Sequence, residues 1–523
     1  MRQLVGWRGR ARGWAMLIPV FVAALAFSGC PLLEGVDDDT TEGSDLHCEP
    51  DCEGVECGSD GCGGSCGGCS GGMVCNYAGQ CVEEGECEAD CSDKQCGNDG
   101  CGGSCGTCSE GVCTSDGQCT VGSALITGSL SFEVLWPRLD NDGKLFLDQE
   151  AVFPAGGMLA ILYDGNDKEL AAAEVAYDGT FAIPLPYDAP KGNETVIFST
   201  LWAPDSGNGD VVLAVLKAGS GAQLGSNDLP PWVWSIEVSG SGELGDITVT
   251  REQGSGAMFI YLFMRSAMEA ILYDILAGDA SQLETLAVMW NDGKTWSCGS
   301  CFGRSIGQTV SGSFGMDQSI FIGGDPSYSS AWGYPVILHE FGHYTAANYS
   351  RDDSPGGPHD GSPEIPPFAW SEGWASFSSV ANVSRWYGAP YPLFWDKQQG
   401  FTYWIDYSDA SVYGIMPLQL PSASGGIKQD LAEDVVASML WNVWDGGDVP
   451  EAPGSEDGVG LGTAAVLKAI SSSRFIHGDR GYKGADLVDF LDAAICANSG
   501  VAGGIESVMD AYGFPYDNNP TCK

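Results

Sequence analysis

Basic side chains are scarce in this chain of 523 residues: 23 Lys and Arg stand against 70 Asp and Glu, a formal net charge of −47. Between Pro31 and Thr120 the only Lys or Arg is Lys94. A surface of that sign repels phosphate backbones and anionic headgroups, so nucleic acid is excluded as a partner and the acidity reads as a solubility property. Long apolar runs are scarce too. The run at residues 14–27 follows Arg2, Arg8, Arg10 and Arg12 and reads as an export signal over 1–29. It is short and interrupted by proline, which argues against a membrane span. Histidine is the rarest functional side chain, with five in the whole sequence.

Apolar bulk is also missing from residues 48–119. Two Cys-rich repeats, 48–81 and 87–119, match cysteine by cysteine from Cys48 and Cys87 through to Cys81 and Cys119. So much Gly and Cys excludes a hydrophobic core, and disulfides must hold the shape in an exported chain. These repeats read as a stapled stalk. The open alternative is a module that binds wall polysaccharide or protein. Upstream, Phe27-Ser28-Gly29-Cys30 resembles a bacterial lipobox, which implies lipid on Cys30 and anchorage to a membrane through that lipid alone. Phe27 replaces the usual Leu, so secretion without lipid stays open. Residues 30–47 are acidic, lack periodicity and read as a flexible tether.

A chain of this length holds several domains. Over 124–251 short alternating runs parted by turns predict a β-sandwich of immunoglobulin or transthyretin type. Asp140-Asn141-Asp142-Gly143 hints at a Ca2+ loop but lacks the distal Glu, so a β-turn is the reading and Ca2+ is unsupported. Over 256–523 helical and strand patterns alternate. Helices are expected at 258–276, 430–444, 461–471 and 486–497, and a strand at 286–290. Cys298 and Cys301 predict a local structural disulfide, and Cys496 and Cys522 a tie at the C-terminus. That leaves Cys30 as the unpaired cysteine, the one reserved for lipid.

The scarcity of histidine gives weight to His339-Glu340-Phe341-Gly342-His343. On a helix, residues four apart stand on one face, so both imidazoles can hold one metal ion while Glu340 acts on water as a general base. This is the HExxH arrangement of a zinc peptidase. Catalytic zinc uses three protein ligands and an open position. The third is expected from Phe368-Ala369-Trp370-Ser371-Glu372-Gly373-Trp374-Ala375, read as a second helix with Glu372 in its first turn after Pro366 and Pro367. Gly373 and Ala375 are small enough for a close helix approach. His359, after Gly356-Gly357-Pro358, reads as a histidine on the cleft rim, and Asp352, Asp353 and Asp360 as solvated loop carboxylates.

HEFGHY, a Gly-Gly loop and then WSEGWASF resemble the gluzincin clan of zinc metallopeptidases, particularly its fungalysin-like branch with a GEGW motif. The resemblance covers roughly residues 256–523. It implies an α+β thermolysin- or fungalysin-like zincin domain binding one Zn2+ through His339, His343 and Glu372, with Glu340 as base. That family carries an Asp four residues after the ligand Glu, which fixes a zinc histidine. Ser376 stands there in this sequence, so Glu433 or Asp434 becomes the candidate for that role. His477, Tyr407 and His359 are the possible donors to a developing oxyanion. Residues 318–322 read as a strand. In gluzincins an edge strand here binds extended substrate, and an internal strand without substrate contact is the alternative.

Two functions follow. One is a surface-anchored or secreted zinc metallopeptidase acting on protein or peptide substrates, read as an endopeptidase with exopeptidase action left open. The other is a cell-surface binding or adhesion protein that uses the repeats and keeps a non-catalytic zincin scaffold.

Overall fold

The computed structural model describes residues 124–523 except 140–144, 186–192, 205–210, 220–228, 239–241, 304–317, 326–329, 388–392, 399–400, 409–418, 447–458 and 523. Ahead of these it describes the backbone of eight short strands. Each Cys-rich repeat contributes the same two antiparallel ladders. The first pairs Gly58–Ser59 with Ser65–Gly67 and Met73–Cys75 with Cys81–Glu83. The second pairs Gly97–Asn98 with Ser104–Gly106 and Val112–Cys113 with Cys119–Thr120. The export signal, the tether, Cys30, the pairing of the repeat cysteines and Asp140-Asn141-Asp142-Gly143 lie outside the described residues. No helix among the described residues is long and apolar enough to cross a membrane.

The strand Ala124–Leu139 organises the first sheet by pairing with three others. Leu145–Pro154 and Thr180–Leu185 run antiparallel to it and Glu243–Val249 runs parallel. A second sheet orders Glu169–Glu174, Leu159–Tyr163, Thr195–Ser199 and Val233–Glu237, all antiparallel. The inward side chains of both sheets share one core, in which Phe181 of the first meets Phe198 of the second at 5.2 Å between ring centroids.

The expected boundary near residue 251 does not coincide with a break in packing. Residues 124–523 form one unit. Leu213–Lys217 runs parallel to Leu286–Trp290, which runs parallel to Ser319–Phe321, in a five-stranded sheet bounded by Leu201–Trp202 and Cys301–Gly303. Leu213, Ala214, Val215 and Leu216 are all buried, the mark of a strand covered on both faces rather than of a sandwich strand with one wet face. The helix Gly256–Ala270 lies in the crossover and is buried almost throughout. Its Arg265 ties it to the second sheet, bonding Glu174 at 2.8 Å and the Gly157 carbonyl.

The remaining helices place the candidate site. The His helix, Tyr334–Tyr349, buries Ile337, Leu338, Phe341 and Tyr344 and carries Pro335 in its first turn. The Glu helix, Pro366–Tyr387, opens on Pro366 and Pro367 themselves, because a missing N–H costs nothing in the first turn. Glu372 therefore lies beyond that first turn, contrary to expectation. The two helices meet where a Cβ added at Gly342 would stand 2.6 Å from the Ala375 Cα. A third helix, Glu433–Trp444, closes on the Glu helix at Gly373, whose added Cβ would lie 2.7 Å from the Glu433 carbonyl oxygen. Both disulfides read from the sequence are present, Cys298 with Cys301 and Cys496 with Cys522.

Farther along, Asp486 caps the helix Leu487–Ala497 by accepting from the backbone N–H of Val488 and Asp489. Burial first, and then the like charge of Asp489, push the Asp486 carboxyl up to about 7. Burial likewise pushes Asp489 up to about 6.

Two outcomes are expected. Gly342→Ala overpacks the helix contact, and urea denaturation should show a loss of about 1–3 kcal/mol. Asp486 and Asp489 bind protons more tightly folded than unfolded, so they stabilise below the ordinary Asp range and that stability is lost as pH rises through 6 and 7. Urea midpoints should fall across that window, and Asp486→Asn, which keeps a capping oxygen, should flatten the fall.

Candidate metal centre

Close packing of the His and Glu helices brings three donor atoms together. His339 Nε2 and His343 Nε2 are 3.2 Å apart, and each is 3.2 Å from Glu372 Oε2. A tetrahedral zinc ion with bonds of about 2.0–2.2 Å spaces its donors about 3.3–3.6 Å apart, so an equilateral triangle of this size fits the short end of that range. His339 and Glu372 also belong to an overlapping set. The donor atoms of His339, His359 and Glu372 lie within 4.8 Å of one another, with His359 Nε2 at 3.4 Å from Glu372 Oε2. His359 is exposed, as expected of a rim residue, and its ring reaches the site. Its loop folds over the site, and its ring stacks parallel to that of His339 with centroids 6.3 Å apart.

The outward nitrogen of every imidazole is held, and the acceptors at the far ends dictate the proton positions. His339 Nδ1 is 3.1 Å from Ser376 Oγ. Ser376 is bonded in turn to Tyr407, whose hydroxyl donates to Asp434 Oδ1 at 3.5 Å. A carboxylate only accepts, so each hydroxyl in this relay points toward Asp434 and Ser376 is left to accept from His339 Nδ1–H. The His339 lone pair is then on Nε2, facing inward. His343 repeats the pattern with a shorter chain. Ser371 Oγ lies 3.4 Å from His343 Nδ1 and donates to Asp352 Oδ2 at 3.3 Å. His359 Nδ1 contacts Glu433 directly, at 2.7 Å to Oε2 and 2.9 Å to Oε1. The donor atoms of His339 and His343 thus converge with the Glu372 carboxylate, and that of His359 approaches the same carboxylate, a donor set whose mutual repulsion a cation removes.

Protons compete for the same place. Burial opposes charging His343, yet the carboxylates of Glu372, Glu340 and Asp352 raise it to about 9. The Glu433 contact raises His359 to about 9 as well. Burial works against the charge on Glu372, but hydrogen bonds from His339 and His343 hold its carboxyl well below the usual range. Glu340 is 7% exposed, and burial raises its carboxyl while the Phe302 N–H donates to it.

Phe302 lies in Cys301–Gly303, the terminal strand of its sheet among the described residues. The strand expected at the edge, Ser319–Phe321, is internal, between Leu286–Trp290 and Cys301–Gly303. Residues 301–303 run antiparallel on its outer side and take its place beside the site.

Other assignments change with the geometry. Tyr407 is fully buried, with its hydroxyl turned to Asp434. Burial drives its phenol well above the ordinary value. His477 is exposed at the end of the short helix Ser473–Ile476, and no hydrogen bond or ion pair joins it to the site among the described residues. Glu433 and Asp434 separate, the first to His359 and the second to the Tyr407 relay. Asp352, Asp353 and Asp360 are exposed, as expected of loop carboxylates; Asp352 accepts from Ser371, while Asp353 pairs with Arg351 and accepts from the Ala485 N–H. Sequence reasoning missed Ser371, Asp352 and Gly342. The two serines flank Glu372 one before and four after, and that helical spacing was the signal available.

A scan against protein-family models finds no match to this chain, and a search of curated proteins finds none.

If the relay orients His339, Asp434→Asn should weaken Zn2+ binding about tenfold to a hundredfold in a chelator competition, with the far-UV spectrum unchanged. An amide can donate back along the chain and undo its direction. An unaltered dissociation constant would remove the relay from the account.

Proposed function

We propose that this protein is a zinc-dependent metallopeptidase of gluzincin type, exported and held at the cell surface through lipid on Cys30 or released. The reading rests on one observation: the triangle of His339 Nε2, His343 Nε2 and Glu372 Oε2 beside the buried carboxylate of Glu340. Those three residues would hold Zn2+, which when bound supplies a Lewis acid toward water and a peptide carbonyl. Glu340 accepts the proton of the attacking water and returns it to the leaving amide nitrogen. The Phe302 N–H faces that carboxylate. Phe302 also belongs to Cys301–Gly303, the terminal strand among the described residues, so an extended peptide pairing with that edge would carry its carbonyl past Glu340. A protein or peptide substrate is the class this arrangement suits. Ser371, Ser376, Tyr407, Asp352 and Asp434 act at one remove, by orienting the imidazoles.

The test compares wild type with Glu340→Gln on a denatured protein substrate. Glu340→Gln should keep its zinc, measured by metal analysis, and lose about 10²–10⁴-fold in turnover. Glu372→Gln should lose the metal itself. A zinc-loaded wild type no more active than Glu340→Gln would sink the peptidase reading.

A further inference from the structure

We propose that His359 is a fourth, displaceable protein ligand, so that the centre rests as a closed site of three histidines and Glu372. This inference rests on the metal site described under Proposed function. His359 is built as the other two imidazoles are, with Nδ1 held from outside by a partner and Nε2 turned to Glu372 Oε2. Its 3.4 Å from that oxygen compares with 3.2 Å for His339 and for His343. The Glu433 carboxylate on its outer nitrogen is the kind of partner that ligating histidines commonly have, and the only one of the three bonded to a carboxylate without an intervening hydroxyl.

What sets His359 apart is its support. His339, His343 and Glu372 stand on packed helices, with side chains 11%, 16% and 9% exposed, whereas His359 stands on a loop and is 35% exposed. Just before it, Gly356 and Gly357 have φ of 64° and 142°, conformations that side-chain-bearing residues rarely adopt. Asp352 and Asp353 anchor the start of the loop through Ser371, Arg351 and the Ala485 N–H, while the backbone bonds from Ser354 to Gly356 are local turns, Ser354 N to Asp352 and Gly356 N to Ser354. His359 can therefore leave the centre by rotation about this stretch while the two helices stay packed. Four protein donors complete a tetrahedral zinc site, and hydrolysis needs one corner open. The ligand set thus sets a low resting activity, relieved when His359 withdraws.

The experiment uses the full-length chain loaded with Zn2+ and, separately, with Co2+. Zinc X-ray absorption of the wild type should count three imidazoles, and His359→Ala two. His359→Ala should also release zinc to a chelator about tenfold more readily, change the visible Co2+ spectrum, and turn over peptide faster than wild type. Glu433→Gln, which loosens His359 without removing it, should move each readout in the same direction by less. Two imidazoles in the wild type, or an unchanged spectrum and dissociation constant in His359→Ala, would overturn the fourth ligand and leave the peptidase reading intact. A wild type that binds no zinc would remove both.

Discussion

The contact that the site depends on is steric. Gly342 of the His helix lies so close to Ala375 of the Glu helix that a methyl group would not fit between them. Only this approach lets side chains as short as Glu372 and Ser376 reach His339 from a neighbouring helix. Ser376 stands one turn after Glu372 on the same face, so the contact that delivers the inward carboxylate also delivers the outward hydroxyl. Gly373 does the equivalent on the other side of the Glu helix, drawing in the helix that carries Glu433 and Asp434. Small residues in two helices, Gly342 in one and Gly373 and Ala375 in the other, thus set the distances on which the chemistry depends.

Electrostatics completes what packing begins. Each imidazole has its outer nitrogen held from outside, which leaves the inner one for a proton or a metal ion, and each outward path ends on a carboxylate: Asp434, Asp352 or Glu433. Those acids come from one helix and one loop, neither of which belongs to the HExxH or WSEGW stretches. Behind His339 stand Ser376, at 3.1 Å from Nδ1, and then Tyr407, which donates to Asp434 at 3.5 Å. Tyr407 enters from the end of the hairpin of Leu393–Gln398 and Phe401–Asp406, whose Phe394 also packs against His339 with ring centroids 6.1 Å apart.

Much of this was legible along the chain. The strand Leu286–Trp290 and the helices around 433–444, 462–470 and 487–497 follow from local hydrophobic pattern and turn chemistry, as do both described disulfides. The misreadings share a cause. Residues 211–217 look like a sandwich strand until their burial on both faces shows them in the sheet with Leu286–Trp290. Ser319–Phe321 looks like an edge until Cys301–Gly303 pairs outside it. Pro366 and Pro367 look like a stop, though proline serves equally as a start. In each case a local signal admits two structures, and the neighbour that chooses between them is distant in sequence.

The site divides the same way. His339, Glu340 and His343 could be proposed from spacing alone, because helical periodicity is a property of consecutive residues, and Glu372 from the second helical stretch. His359, Tyr407, Asp352 and the separate destinations of Glu433 and Asp434 could not. Their roles depend on where a loop closes and which helix faces which, and those outcomes are decided by burial and close packing across the whole unit. Sequence determined which residues are able to bind and move protons. Tertiary structure decided which of them share a centre, since separation in space between chemically similar side chains is set only when the core has packed.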